Sequence, residues 1–278
     1  MKQVKLRRWG RQNIISSVGI LLALLIAIAC LLAPVIAPYE PAHQDLSIGL
    51  SGLSWEHLLG TDQLGRDLLS RLLWAGRASI SLTIIVLSLS LILGGGVGVC
   101  AGYFGGLVDE VLMRLVDLFL CLPKLILALA LVGALGSGFL DLVAALTVVW
   151  WSTYARLVRS QVLSVKNDEF FLAAKALGGS PIHIIRAHLL PALLGPVLVQ
   201  LSLDAGAIVL TIAGLSFLGL GIQPPSPEWG TMLVDARPFM QVAPRLVILP
   251  GAVITIAVFG FNALAEGLET WLDPRIVS

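Results

Sequence analysis

The residue types able to do chemistry in this 278-residue chain are few, and their spacing excludes most catalysis. A Walker loop needs Gly-Lys followed by Ser or Thr, so that lysine and hydroxyl hold phosphate and magnesium. The lysines are Lys2, Lys5, Lys124, Lys166 and Lys175, and none stands in that context. The chain is therefore not itself a P-loop ATPase, and no ATP, magnesium or other cofactor is expected on it. Gly96-Val97-Gly98-Val99-Cys100-Ala101 formally matches G-x-G-x-x-A, but that fingerprint requires a preceding strand and an aqueous phosphate site. Here it lies in an uncharged apolar run. Gly94, Gly98 and Gly102, four residues apart on one helix face, are instead read as a packing surface that lets another helix approach closely. His183 and His188 lack cysteine or carboxylate partners at zinc spacing, and His43 and His57 stand apart from them, so no metal site is expected. No nucleophile elbow or paired acids occur, and no catalytic residue is assigned. Cys30, Cys100 and Cys121 lie in apolar runs, where a free cysteine is usually a small buried hydrophobe. Asp204 is the one carboxylate well inside a long apolar run, and an ionisable residue at such a place is a functional hypothesis by default. It either lines a polar pathway or pairs between helices at a subunit contact. Thr211 and Ser216, further along the same run, are grouped with it as possible translocation-pathway residues.

The elements that must carry these residues are set by composition. The chain is 57% hydrophobic and only 13% charged, with a mean hydropathy of +0.93, against about 25% charged in soluble domains. An all-α polytopic membrane protein follows, surrounded by lipid, with one membrane domain. Runs free of charge locate six spans, because an ionised side chain at mid-bilayer is costly. They fall at about 14–36, 80–104, 118–135, 139–158, 193–220 and 246–265. Lys124, near the start of the third, is expected to snorkel to the headgroups. The basic N-terminus and the apolar run behind it mimic a signal peptide, but the run continues to about Ala37, too long for an h-region, so an uncleaved first span is expected.

Basic residues stay preferentially on the cytoplasmic side of short loops. Lys2, Lys5, Arg7, Arg8 and Arg11 precede the first span, and Arg156, Arg159, Lys166, Lys175 and Arg186 surround the loop before the fifth. Both places are therefore expected to be cytoplasmic, as is the C-terminal tail. Segment 38–78 is then external and net acidic, and segment 221–244, rich in proline, is an external turn region. No basic patch with interleaved aromatics appears, and no nucleic-acid partner is expected.

The most informative stretch is Glu169-Phe170-Phe171-Leu172-Ala173-Ala174-Lys175-Ala176-Leu177-Gly178-Gly179-Ser180-Pro181. Its first half reads as a short helix, the glycine pair breaks it, and Pro181 suits the first turn of a second helix. His188-Leu189-Leu190-Pro191 leads back into the membrane. A helix-turn-helix of this kind, joined to the spans on both sides, would transmit a push from a docked partner.

This loop resembles the EAA loop of ATP-binding-cassette importer permeases, in which a coupling helix sits in a groove of the ATPase subunit. Ala173, Ala174 and Gly178 match that pattern, as does the His188 to Pro191 ending. Gly60-Thr61-Asp62-Gln63-Leu64-Gly65-Arg66-Asp67, Ser70-Arg71, Leu215-Ser216-Phe217-Leu218-Gly219-Leu220-Gly221, Pro227-Glu228-Trp229-Gly230 and Leu272-Asp273-Pro274 widen the resemblance to the C-type permeases of dipeptide, oligopeptide and nickel importers. It implies a MetI-like core of five helices plus one N-terminal helix in a bacterial inner membrane. Residues 1–78 would hold the N-terminus, the first helix and the external segment. Residues 79–278 would form the permease domain, with its coupling loop at about 160–190.

The resemblance also implies a sister permease, two ATPase subunits carrying ATP and magnesium, and an external or periplasmic substrate-binding protein. Glu169, Ala173, Ala174, Gly178, His188 and Pro191 would form the ATPase-coupling loop. Two departures stand out. Leu172 replaces the glutamate that opens the motif in many relatives, and Ile212 occupies the place where many peptide permeases carry a glutamate. The second resembles the nickel or metal-chelate branch and leans the substrate that way, with dipeptide or oligopeptide import as the alternative. A secondary transporter would need an intramembrane ion relay, for which Asp204 alone is a poor candidate.

Overall fold

A computed structural model describes residues 2–166 and 189–272, with side chains from residue 17 onward. Helix α1 (Lys2–Leu31) and the short α2 (Ala33–Ile36) lead into an irregular segment, residues 37–67. Then come α3 (Leu68–Phe104), α4 (Gly106–Leu120), α5 (Lys124–Leu135), α6 (Phe139–Lys166), α7 (Leu190–Phe217), α8 (Trp229–Ala236) and α9 (Arg245–Leu272). Among the described residues the sole β feature is an isolated bridge between Thr61 and Asp67. Segment 37–67 and α8 cover one end of the bundle, called here the capped end.

Helix α3 begins twelve residues before the predicted second span, and the reason is local. The Asp67 carboxylate accepts from the Ser70 amide at 2.8 Å and from the Ser70 hydroxyl at 2.7 Å, satisfying amides that a helix start leaves open. The resulting 37-residue helix is about 55 Å long, so it extends well beyond a hydrocarbon core of about 30 Å. Gly105 and Gly106, with φ of 68° and 56°, end it in a conformation that side chains disfavour.

The predicted third span is a broken one. Helices α4 and α5 meet at 88° across Cys121, Leu122 and Pro123, where the proline has no amide to continue the ladder. Their contacts with α6 climb in order, from Arg159 with Asp109, through Trp151 with Phe119, to Trp150 with Lys124. Helix α4 therefore runs antiparallel to α6, and α5 starts at the level of Trp150 after the sharp turn.

Helix α6 is the centre. It packs against α3, α4, α5 and α7, and its Leu142, Leu146, Val149, Trp150 and Tyr154 form the main core with Leu82, Val86, Ile208 and Ile212. By length and composition α3, α7 and α9 are able to cross a bilayer, and the broken pair would make a fourth passage. Six spans were expected; α1 and α6 stand in their predicted places but fall short of that measure. Side chains of α1 are described only from Ser17, so its apolar run from Ile14 is counted in part, and α6, enclosed by other helices, carries Thr147, Ser152 and Thr153 that a lipid-facing helix would not need. Cys30 is buried as expected, whereas Cys100, on α3, and Cys121, at the break after α4, are exposed.

The three spaced glycines all face α6. A methyl group on Gly94 would collide with the Trp151 carbonyl, on Gly98 it would sit 2.5 Å from the Ala155 carbonyl, and on Gly102 2.7 Å from Val162. Their neighbour Gly96 has nothing within 4 Å. Gly98→Ala is predicted to destabilise the fold by about 1–3 kcal/mol through overpacking, while Gly96→Ala is neutral or stabilising because alanine favours the helix. Thermal unfolding of the two purified variants in detergent checks this; equal melting temperatures would contradict it.

Candidate functional site

Polar side chains gather at three levels of the bundle. At the middle level stands Asp204, near the midpoint of the 28-residue α7 and so about 20 Å from either end of that helix. Its Oδ1 accepts from Trp150 Nε1 of α6 at 3.2 Å, and its Oδ2 from Gln200 Nε2, one turn earlier, at 3.1 Å. Tyr154, one turn beyond Trp150, lies fully buried beside the same carboxylate. Lys124, the first residue of α5, brings its Nζ to 3.9 Å from Asp204 Oδ1 and 4.8 Å from the centre of the Trp150 ring. The lysine thus does not snorkel to a headgroup. The break before it falls midway along α6, and an opposite charge and an aromatic face are closer than either bilayer surface. Thr211, two turns after Asp204 on the same face, is half-buried in the lining of a groove, whereas Ser216 is buried against Gly221 and Gly230.

The capped end holds the segment read from sequence as external and net acidic, and the structure shows a buried ionic cluster in it. Asp62, Arg66, Asp67 and Arg71 are each 3–5% exposed. Asp62 pairs with Arg66 at 2.6 Å and Arg71 at 3.4 Å, and Asp235 of α8 lies 3.6 Å and 3.5 Å from the same two guanidinium groups. Asp62 also accepts from the amides of Leu64 and Arg66. Arg245 donates to the carbonyls of Leu50 and Ser51, and His57 pairs with Asp67 at 2.9 Å.

Helix α8 completes this cap. Glu228 forms a capping box with Thr231, accepts from Ser79 of α3 at 3.0 Å, and the adjacent Trp229 donates to the Leu72 carbonyl at 3.1 Å. The signal available in sequence was the density of opposite charges at helical spacing, as in Asp62 and Arg66. Segment 221–244, expected as turns, therefore contains a helix whose buried faces are tied to α3.

At the opposite end α3, α4 and α6 are clamped together. Arg159 donates from Nε and Nη2 to both oxygens of Asp109 at 2.5 Å, a bidentate geometry that fixes orientation. Arg156 pairs with Asp117. Lys166 donates to the carbonyls of Gly102 and Tyr103 at 3.0 and 2.9 Å, satisfying the last carbonyls of α3. This clamp sits where the chain leaves α6 towards residues 167–188. Glu169, Ala173, Ala174, Gly178 and His188 lie outside the described residues. Pro191 is exposed in the first turn of α7 and lines an apolar groove with Leu190, Gly96 and Val99. Among the described residues no three His, Cys, Asp or Glu side chains converge to hold a metal ion.

Comparison with known proteins gives a consistent result. A family model described as binding-protein-dependent transport system inner membrane component matches residues 94–278. The chain is 38% identical over 268 residues to the dipeptide transport system permease protein DppC of Alkalihalophilus pseudofirmus, covering 96% of this chain and 88% of that one. It is 38% identical over 260 residues to the nickel transport system permease protein NikC of Escherichia coli, covering 94% of each. It is 38% identical over 273 residues to the glutathione transport system permease protein GsiD of Pectobacterium atrosepticum, covering 98% and 90%. Among solved structures, an inward-facing MetNI methionine ABC transporter superposes with a TM-score of 0.54 at 17% identity, covering 69% of this chain and 93% of that one.

The capped-end cluster generates a stability prediction. Asp62→Ala removes the partner of two buried arginines together with two amide acceptors, and is expected to cost about 3–5 kcal/mol. The exposed pair of Arg114 and Glu110, 3.9 Å apart, should contribute less than about 1 kcal/mol, so Arg114→Ala serves as the comparison. Detergent-phase thermal unfolding reads both, and a mild Asp62→Ala effect like that of Arg114→Ala would refute the cluster's role.

Proposed function

The chain belongs to the binding-protein-dependent inner membrane components, the permeases of ATP-binding-cassette importers, and on that premise we propose how it couples and what it carries. It forms half of a translocation pathway with a sister permease, while two ATPase subunits dock on the loop at about 160–190 and bring ATP and magnesium. The capped end faces the substrate-binding protein outside, and both termini lie in the cytoplasm. The basic N-terminus and the basic residues around the loop support that orientation.

The observation that carries the reading is the clamp at the mouth of the loop. Arg159, Arg156 and Lys166 tie the end of α6 to α4 and to the end of α3. A displacement of the loop around Gly178 would therefore move α3, α4 and α6 together. ATP binding closes the ATPases, the loop moves with them, and the permease halves rock to expose the pathway to one side and then the other. Residues near Asp204 and Thr211 line that pathway in this reading, with Ser216 behind them.

The substrate is a small solute of the class that includes peptides and metal chelates. The lean to nickel or a chelate drew on Ile212, and that side chain is fully buried in the core. A glutamate there would point into packed side chains, so the difference does not report on what the pathway accepts. Dipeptide or oligopeptide import stands beside the chelate reading on equal terms.

Replacement of Gly178 by leucine tests the coupling. In the complete complex, reconstituted with its binding protein, Gly178→Leu is expected to lower uptake at least tenfold while ATP hydrolysis by the partner subunits continues. Uptake at the wild-type rate would remove Gly178 from the coupling site.

A further inference from the structure

The break between α4 and α5 leaves a lysine at the middle of the membrane whose open side needs an explanation. Helix α5 has 12 residues, about 18 Å, so Lys124 lies roughly halfway through a hydrocarbon core of about 30 Å. Its side chain is 38% exposed. An ammonium has three N–H donors, and among the described residues Lys124 makes one ion pair at 3.9 Å and one ring contact at 4.8 Å. Neither is a hydrogen bond. Asp204 accepts from Trp150 and Gln200, one bond to each oxygen, and it stands beside Lys124 as a counter-charge at 3.9 Å. Lipid tails are an unsuitable neighbour for such a group. The open side of Lys124 therefore meets water or an acceptor.

What lies beside it narrows the acceptor. The next residue, Leu125, lines a groove of about 490 Å³ with Thr211, Gly214, Phe217, Leu233 and Gly251. The walls carry no acidic or basic side chain, and the Thr211 hydroxyl is already donated to the Ala207 carbonyl. Two cations flank this groove: Arg237, whose guanidinium lies 6.0 Å from the centre of the Phe217 ring, and Lys124, the neighbour of the lining residue Leu125 in the chain; of the two, Lys124 stands at the start of α5. The first amides of α5 add to the same positive end, in the manner of interrupted helices whose N-terminal ends face a substrate carboxylate at the midplane.

We infer that Lys124 receives the carboxylate of the transported solute, while the adjoining groove takes its apolar part. The inference rests on the permease reading above and deepens it by naming the chemistry of the substrate. A peptide with a free C-terminus fits, and so does a metal held in a carboxylate chelate. A bare divalent cation does not, because it meets the like charge of the ammonium. Asp204 is the positioning residue of this arrangement, holding Lys124 at the break.

The test uses the complete complex in proteoliposomes, with binding protein, and two probes: alanyl-phenylalanine and its C-terminal amide. Uptake by Lys124→Gln is divided by wild-type uptake for each probe separately, so that any preference of the binding protein cancels. The free acid is expected to lose at least tenfold more than the amide, and Lys124→Arg to restore most of the difference. Equal losses for both probes, or no loss for either, would overturn the inference while leaving the permease reading intact. Loss of the sister permease from purified Lys124→Gln complex would overturn it too, by assigning Lys124 to a subunit contact. Wild-type complex that takes up free Ni²⁺ and neither peptide probe would overturn it while leaving the permease reading in place, and ATP-independent uptake of every probe would defeat both.

Discussion

Two helices in this chain come close enough for backbone to touch backbone, and most of the remaining structure follows from that approach. Gly94, Gly98 and Gly102 present a face of α3 without side chains to the carbonyls of Trp151, Ala155 and Arg159. In lipid, where apolar burial gives little drive for helices to associate, close van der Waals packing of this kind is a main source of cohesion. With α3 and α6 joined, Lys166 reaches the last carbonyls of α3, and α4 must fold back along α6. Its Asp109 and Asp117 then meet Arg159 and Arg156. The broken passage α4 and α5 is thereby laid against a central helix, which places the break, and Lys124 with it, at the level of Trp150.

Charge is distributed through the bundle according to what surrounds it. At the capped end buried Asp62, Arg66 and Arg71 and half-buried Asp235 compensate one another and fasten segment 37–67 to α3 and α8. A buried pair of this kind need not add net stability, since desolvation offsets attraction, but losing one partner is costly. The cluster therefore fixes one arrangement of the cap. At the opposite end the pairs are more exposed, and their geometry holds three helix ends in register. In the middle Asp204 accepts two hydrogen bonds, and among the described residues Lys124 is held by an ion pair and a ring contact alone.

Much of the fold was legible in the sequence because lipid imposes a simple rule. Windows without charge marked α3 and α9, a long apolar run whose only charge is Asp204 marked α7, and the four-residue glycine spacing marked the face on which α3 is packed. The α4 and α5 break was harder to read. Pro123 near the start of an apolar run is tolerated in the first turn of a helix as readily as at an interruption, and the choice depends on contacts with α6. Lys124 was assigned to the headgroups for the same reason: a lysine at the start of a span usually belongs there. Asp62, Arg66 and Arg71 read only as part of an external, net acidic segment, because burial of paired charges leaves no periodic mark. The resemblance to importer permeases agrees with the family to which residues 94–278 belong, while the loop around Gly178 lies outside the described residues.

The account holds that a chain without nucleotide chemistry of its own moves solute with energy delivered by partner subunits. Its most direct test is uptake into sealed vesicles containing the whole complex, with ATP on the ATPase side and all ion gradients collapsed by ionophores. The account predicts that uptake persists under those conditions and stops when ATP is withdrawn. Uptake that ceases when the gradients are collapsed, with ATP intact, would contradict it.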